Sequence, residues 1–245
     1  MHKPKPRLLV TRFAPHAQRL TDLLNINGVV AFAQPLLQVR KTAEFDYAKR
    51  IFSNNYDLVI AVSQNAVDYT NQALAGGFWP ISAYYAVGKG TQTKLSVASG
   101  QDVFIPDQRF ASEGLLAMSQ LSDLKDKKIL ILRGKGGREL LKEKLTERGA
   151  SVDYYQPYQR ITVDLDGSHE VEKWQVKNIN GVIISSNELL QRLLEVVPKS
   201  ELGWLKKLTI YAPSKRITDR AELLGWTSCR VLPGISDQQV VDYFK

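Results

Sequence analysis

The sequence predicts an α/β protein whose parallel sheets are covered by helices on both faces. Three observations carry this. Short apolar runs alternate with helix-like stretches, the series occurs twice along the chain, and the runs end in Ser, Thr, Asn, Gly, Lys or Arg. Strands buried on both faces read as unbroken apolar runs, whereas one-faced strands alternate with polar residues. A repeat of whole strand–helix units is a statement about architecture.

Taken in order, Leu8-Leu9-Val10 ends at Thr11-Arg12 and leads into a helix predicted over residues 17–25. Its counterpart, Leu130-Ile131-Leu132, ends at Arg133 and leads into a helix predicted over 138–148. Gly28 and Gly149 stop these helices, since glycine accepts the left-handed backbone found there. A second strand follows in each copy, over 29–32 and 151–155, with Pro35 and Pro157 expected to close it. Next, the run 58–62 before Ser63-Gln64-Asn65 matches 181–184 before Ser185-Ser186-Asn187. Tyr84-Tyr85-Ala86-Val87 before Gly88-Lys89 then matches Thr209-Ile210-Tyr211-Ala212 before Pro213-Ser214. Each copy finishes with a helix stopping at Gly100 or Gly225 and a short strand ending at Pro106 or Pro233.

Composition bounds the function. The 245 residues suit one large domain or two small ones, and 44% apolar with 24% charged residues excludes wholesale disorder. No apolar run approaches the ~20 residues that cross a bilayer, and the basic start lacks the apolar core of a signal peptide. One cysteine, Cys229, cannot form an internal disulfide, which fits the cytoplasm. Cys229 and the three histidines (His2, His16, His169) are far apart, which argues against zinc. The net charge of +8 suits nucleic acid or a small polyanion. The longest basic cluster, Lys125-Asp126-Lys127-Lys128, is diluted by an acid, so nucleic acid is disfavoured.

The junctions carry the chemistry. In parallel α/β sheets, ligands bind beyond the carboxyl ends of the strands, where loops enter helix N-termini. Those positions hold Arg12; Ser63, Gln64 and Asn65; Gly88, Lys89 and Thr91; Arg133, Gly134, Lys135 and Arg138; Ser185 and Ser186; and Ser214. Helix N-termini attract anions, and a nearby Arg or Lys adds a full charge. For Ser63, Asn65, Ser185 and Ser186, plain helix capping selects the same residue types, so both readings stand. Two cations and three glycines between Gly134 and Arg138 exceed what a turn requires. Sharper motifs fail: Glu139 occupies the third-glycine position of a dinucleotide fingerprint, and no P-loop or nucleophile elbow is present.

Several segments together resemble the uroporphyrinogen-III synthase family. They are the repeated strand–Ser–Asn–helix junctions, Ala86-Val87-Gly88 with Thr91, Phe110-Ala111-Ser112-Glu113-Gly114-Leu115-Leu116, Ile131-Leu132-Arg133-Gly134, and Pro157-Tyr158-Gln159-Arg160. The resemblance covers essentially the whole chain. It implies two similar α/β lobes: a discontinuous one over 1–35 and 165–245, a second over 42–157, and linker strands over 36–41 and 158–164. It also implies an enzyme that cyclises hydroxymethylbilane, a linear tetrapyrrole with eight carboxylates, with inversion of the last ring and loss of water. No cofactor or metal is implied. The expected partner is this small molecule, bound by a monomer, with no nucleic acid or membrane and with room for transient contact with the enzyme that makes the substrate.

On this reading Tyr158 assists departure of the hydroxyl, since a phenol keeps its proton at neutral pH and can donate it. The plain alternative is a linker tyrosine that only packs. Arg12, Lys89, Arg133, Lys135 and Arg138 are expected to face carboxylates, while Ser63, Gln64, Asn65, Thr91, Ser185 and Ser186 supply neutral donors. The competing function is a non-enzymatic two-lobed binder of a small polyanion.

Overall fold

The computed structural model describes residues 5–107 and 111–245 of the chain. Phe110, which opens one of the segments above, and His2 lie outside the described residues. The chain divides into two compact lobes, Met1–Gln38 with Ile161–Lys245 and Val39–Arg160.

The first lobe is a five-stranded sheet in the order β11-β10-β9-β1-β2. Its strands are β1 (Arg7–Val10), β2 (Val30–Ala33), β9 (Gly181–Ile183), β10 (Thr209–Ala212) and β11 (Cys229–Val231). Every neighbouring pair is parallel. Leu9, Val182 and Ile210 point into one core, and Leu8, Val10, Ile183 and Tyr211 into another on the opposite face. That explains the unbroken apolar runs, because successive side chains alternate faces and both faces are covered. Helix α1 (His16–Ile26) follows β1, and α8 (Asn187–Val196) follows β9. α10 (Lys215–Leu223) follows β10, and the chain ends in α11 (Asp237–Phe244).

The second lobe repeats this plan in a six-stranded sheet, β3-β8-β7-β4-β5-β6. The strands are β3 (Leu37–Lys41), β4 (Leu58–Ala61), β5 (Ala83–Ala86), β6 (Val103–Phe104), β7 (Lys128–Gly134) and β8 (Ser151–Thr162). Val59, Leu130 and Leu132 enter one core and Leu58, Ile60, Ile129 and Ile131 the other. Fully burying one such side chain stabilises by about 1.5–3 kcal/mol, so the central strands anchor the lobe.

The sequence repeat is not the lobe. β1 and β2 from the first copy join β9, β10 and β11 from the second; β7 and β8 from the second join β4, β5 and β6 from the first. The first sheet therefore has the doubly wound order 2-1-3-4-5; the second is a circular permutation of it, 5-4-1-2-3 when β4 to β8 are counted in chain order, with β3 added at its edge. β3 and the end of β8 contain the two points where the chain passes from one lobe to the other.

Two expectations need correction. Pro157 does not close its strand, since β8 continues to Thr162. Leu132 pairs with Tyr155 but Gly134 with Tyr158, so β8 carries one extra residue there, a bulge. A proline is tolerated at a bulge because no ladder N–H is needed from it; its carbonyl accepts from Thr42 N at 3.1 Å. The helix expected from Arg138 begins later, as α6 (Leu140–Glu147). The preceding residues form a loop in which Gly136 (φ 82°) and Gly137 (φ 97°) are left-handed.

Gly167 opens α7 (Gly167–Val176), and a Cβ there would lie 1.8 Å from the Val196 carbonyl oxygen. Gly203, in α9 (Leu202–Leu205), has nothing within 4 Å of its Cβ position. Thermal unfolding should therefore show Gly167→Ala destabilised by about 1–3 kcal/mol or more. Gly203→Ala should be neutral or stabilised by up to ~1 kcal/mol.

Candidate active site

Where the winding of a doubly wound sheet reverses, the loops leaving the two neighbouring strands run to opposite faces, which opens a crevice at their carboxyl ends. In the second lobe those strands are β7 and β4, paired in parallel with Ile60 beside Ile131 and Ala61 beside Leu132. One residue past β4 come Val62 and then Ser63; β7 ends at Gly134. The expected residues Ser63, Gly134 and Tyr158 meet here.

Ser63 is the N-cap of α3 (Gln64–Leu74), in extended backbone, and its Oγ accepts from Ala66 N at 3.1 Å. The same oxygen lies 2.8 Å from Tyr158 Oη. Tyr158 is only 2% exposed, whereas Ser63 is half-buried. The phenol ring packs against Gly134, where a Cβ would sit 2.7 Å from its Cε2 and Cζ atoms. Glycine is required by this close approach. Lys135 N donates to the Tyr158 carbonyl at 2.7 Å, fixing the backbone just after the bulge. Behind the ring lies Tyr69, with centroids 5.3 Å apart, and burial pushes the Tyr69 phenol pKa up.

Other expected residues surround this pair at the same edge. The Gln64 side chain fills the space over Gly90, where a Cβ would meet its Nε2 at 2.6 Å. Asn65 is in the first turn of α3. Gly88 is the N-cap of α4 (Lys89–Ser99), Lys89 opens that helix exposed to solvent, and Thr91 is buried in its first turn.

Arg133 is placed differently from an outward-facing carboxylate partner. It is 5% exposed, and the loop 134–139 wraps around its guanidinium. Nη1 donates to the Arg138 carbonyl at 3.2 Å and to Glu139 Oε1 at 3.1 Å, and Nη2 donates to the Gly136 carbonyl. The guanidinium also lies over the Tyr154 ring, 4.6 Å from its centroid. Tyr154 Oη donates to Glu139 Oε2 at 2.7 Å. Burial, and then this carboxylate, push the Tyr154 phenol up to about 12. The Tyr154 hydrogen bond, with Arg133 nearby, holds Glu139 below its ordinary value. The outcome is that Lys135 and Arg138 stand exposed on a braced loop, with Arg138 paired to Glu113.

Arg12, in the first lobe, is likewise buried and engaged. It donates to Asp237 Oδ1 at 2.6 Å and to the Ile235 carbonyl at 2.7 Å, fastening β1 to the start of α11. Burial pushes its pKa down, while Asp237 opposes that shift. Arg19 binds the second Asp237 oxygen at 2.6 Å. Ser185 is half-buried after β9, Ser186 caps α8 by accepting from Leu189 N at 3.2 Å, and Ser214 caps α10 through its backbone. These four belong to the carboxyl edge of the first lobe's sheet, not to the Ser63–Tyr158 cluster.

Sequence reasoning missed Tyr69, Tyr154, Asp237 and the bracing role of Glu139. Glu139 entered only as the residue that spoils a dinucleotide fingerprint; its partners, Arg133 and Tyr154, come from the neighbouring strands β7 and β8, whose pairing periodicity cannot supply. Among the described residues, no group of three or more His, Cys, Asp or Glu could hold a metal ion, and no helix is long and apolar enough to cross a membrane.

Two consequences are measurable. Gly134→Ala must push the Tyr158 ring away from Ser63 and should lower stability by about 1–3 kcal/mol in denaturant unfolding. The brace from Glu139 depends on its carboxylate: with the folded pKa below the ordinary 4.5, its contribution is complete above that pH. It is lost as pH falls through the lowered folded value. Hydrogen-exchange protection factors of the 134–139 amides should accordingly fall as the pH is taken below 4.5 in the wild type, and already be low at pH 7 in Glu139→Gln.

The family described as uroporphyrinogen-III synthase HemD matches residues 18–235. Uroporphyrinogen-III synthase of Salmonella typhimurium is 36% identical over 230 residues, which is 91% of this chain and 94% of that one. The Escherichia coli protein of the same name is 34% identical with the same coverage. A mutant uroporphyrinogen III synthase from Thermus thermophilus superposes with a TM-score of 0.66 over 97% of both chains at 17% identity. The Helicobacter pylori uroporphyrinogen-III synthetase gives 0.60 over 97% of both at 14%. With its doubly wound lobes and its family match running through β4, β7 and β8, the chain belongs to the uroporphyrinogen-III synthase family.

Proposed function

We infer that this chain cyclises hydroxymethylbilane to uroporphyrinogen III, with loss of water and inversion of the last pyrrole ring, as a step of tetrapyrrole biosynthesis. Membership of the family supports the reaction. The observation that carries the site is Tyr158, a buried phenol whose hydroxyl is anchored on Ser63 at 2.8 Å.

The substrate is itself reactive. Its hydroxymethylpyrrole loses the hydroxyl with help from the ring nitrogen, giving an electrophilic azafulvene. Unassisted, the chain closes head to tail as the type I isomer. The type III product requires the last ring to present its substituted α-carbon instead, forming a spiro intermediate that reopens and recloses inverted. Holding that geometry is most of the catalysis, and positioning alone can supply several kcal/mol. Tyr158 promotes departure of the hydroxyl. Lys89, Lys135 and Arg138 are exposed and face carboxylates, with Arg138 exchanging Glu113 for one of them. Arg133 and Arg12 act instead by bracing the loop after β7 and the start of α11. Ser185, Ser186, Ser214, Gln64, Asn65, Gly88 and Thr91 supply neutral donors or space at the sheet edges. The reading of a cytoplasmic monomer rests on the single cysteine and on the family resemblance.

The test generates hydroxymethylbilane in place and separates the oxidised porphyrins by isomer. The protein should shift the product from type I to type III. Tyr158→Phe should slow turnover roughly 100-fold or more, as loss of a positioned acid does, while product affinity stays within about threefold. An unchanged type I product from folded protein would favour the non-enzymatic polyanion binder.

A further inference from the structure

We propose that Ser63 is the group that touches the departing hydroxyl, and that Tyr158 delivers its proton through Ser63. The proposal rests on the cyclisation reading above and assigns the atoms of its first step.

Hydrogen-bond accounting leads there. A serine hydroxyl has one donor and two acceptor sites. Ala66 N takes one acceptor site of Ser63 Oγ. Tyr158 Oη has Ser63 Oγ as its hydrogen-bond partner at 2.8 Å among the described residues, and either oxygen can be the donor. When Tyr158 donates, it takes the second acceptor site, and the Ser63 O–H becomes the one uncommitted donor of the pair. Exposure points the same way: the phenol is 2% exposed, enclosed by Gly134 and Tyr69, whereas Ser63 is half-buried at the rim. A leaving hydroxyl in the crevice reaches Ser63 before Tyr158.

The step balances. The carbon–oxygen bond of the hydroxymethyl group breaks with its electron pair on oxygen, driven by the pyrrole nitrogen. That oxygen takes the Ser63 proton and leaves as water. Ser63 Oγ takes the Tyr158 proton, leaving a tyrosinate beside the N-terminus of α3, whose first turn carries no acidic residue and whose positive end favours the anion. When the attacking ring regains aromaticity, its lost α-proton returns through Ser63 to Tyr158. Water is the only net product besides the macrocycle.

A double-variant cycle with hydroxymethylbilane generated in place tests this. Ser63→Gly removes the hydroxyl while glycine remains nearly as good a helix cap as serine. Tyr158→Phe keeps the ring on Gly134. Near-ultraviolet circular dichroism establishes that the variants are folded, and Ser63→Ala replaces Ser63→Gly if the latter is not. Each single variant should lower kcat for type III formation by about 10- to 1000-fold with KM changed less than about threefold. The double variant should fall no more than about twofold below the slower single, because groups acting in series are not additive. Ser63→Thr, which keeps a hydroxyl, should recover at least about a third of the wild-type rate. A double variant slowed by the product of the two single effects would overturn the relay, as would Ser63→Gly at the wild-type rate beside a slow Tyr158→Phe. Failure of the wild type to make type III product would instead sink the cyclisation reading, and the relay with it.

Discussion

The parallel pairing of β7 with β4 is the contact on which the second lobe depends. It joins strands from different copies of the repeat, separated by about seventy residues of chain, and it sets the point where the winding of the sheet reverses. Because Ala61 lies beside Leu132, the two strands deliver Ser63 and Gly134 to the same edge. β8 then adds Tyr158 from the far side of β7, aimed by the one-residue bulge at Pro157. Remove that register and the serine, the glycine and the tyrosine no longer meet.

The polar residues at this edge divide by how their charge is used. Buried guanidinium groups are costly unless fully engaged, so Arg12 and Arg133 are held by carboxylates and carbonyls of the protein itself. Their role is to fix loops. The exposed cations Lys89, Lys135 and Arg138 remain at the surface, where single ion pairs are weak and a ligand with many carboxylates gains from their number. On the proposed reading, a site of this kind suits a flexible polyanion whose own chemistry is already activated, with many small contacts to set its shape and one or two hydroxyl groups to manage the proton.

Gly134 illustrates how packing and chemistry share a residue. In the sequence it belongs to the glycine-rich segment 134–138 and is expected at the substrate site. What requires glycine there is the close approach of the Tyr158 ring. Gly136 and Gly137 serve the backbone conformation that lets the loop close around Arg133. The three glycines of this segment therefore have two different physical causes, and the pattern alone does not separate them.

By itself the sequence determined the strand–helix alternation, the repeat and the polar strand ends, because these follow from local patterns: two-sided burial makes apolar runs, and caps select Ser, Asn and Gly. The grouping of the N-terminal strands with the C-terminal third of the chain comes from the family resemblance, whereas the order of strands within each sheet is seen only in the structure. Tertiary structure alone decided that Pro157 sits in a bulge instead of ending β8, since only the neighbouring β7 and Thr42 show that no ladder donor is needed there. It alone decided which cations face inward, and it alone put the Tyr158 hydroxyl on Ser63, residues 95 apart in the chain. Composition and spacing record what each residue can do. Which groups it meets is fixed by sheet register and burial, and those are properties of the whole lobe.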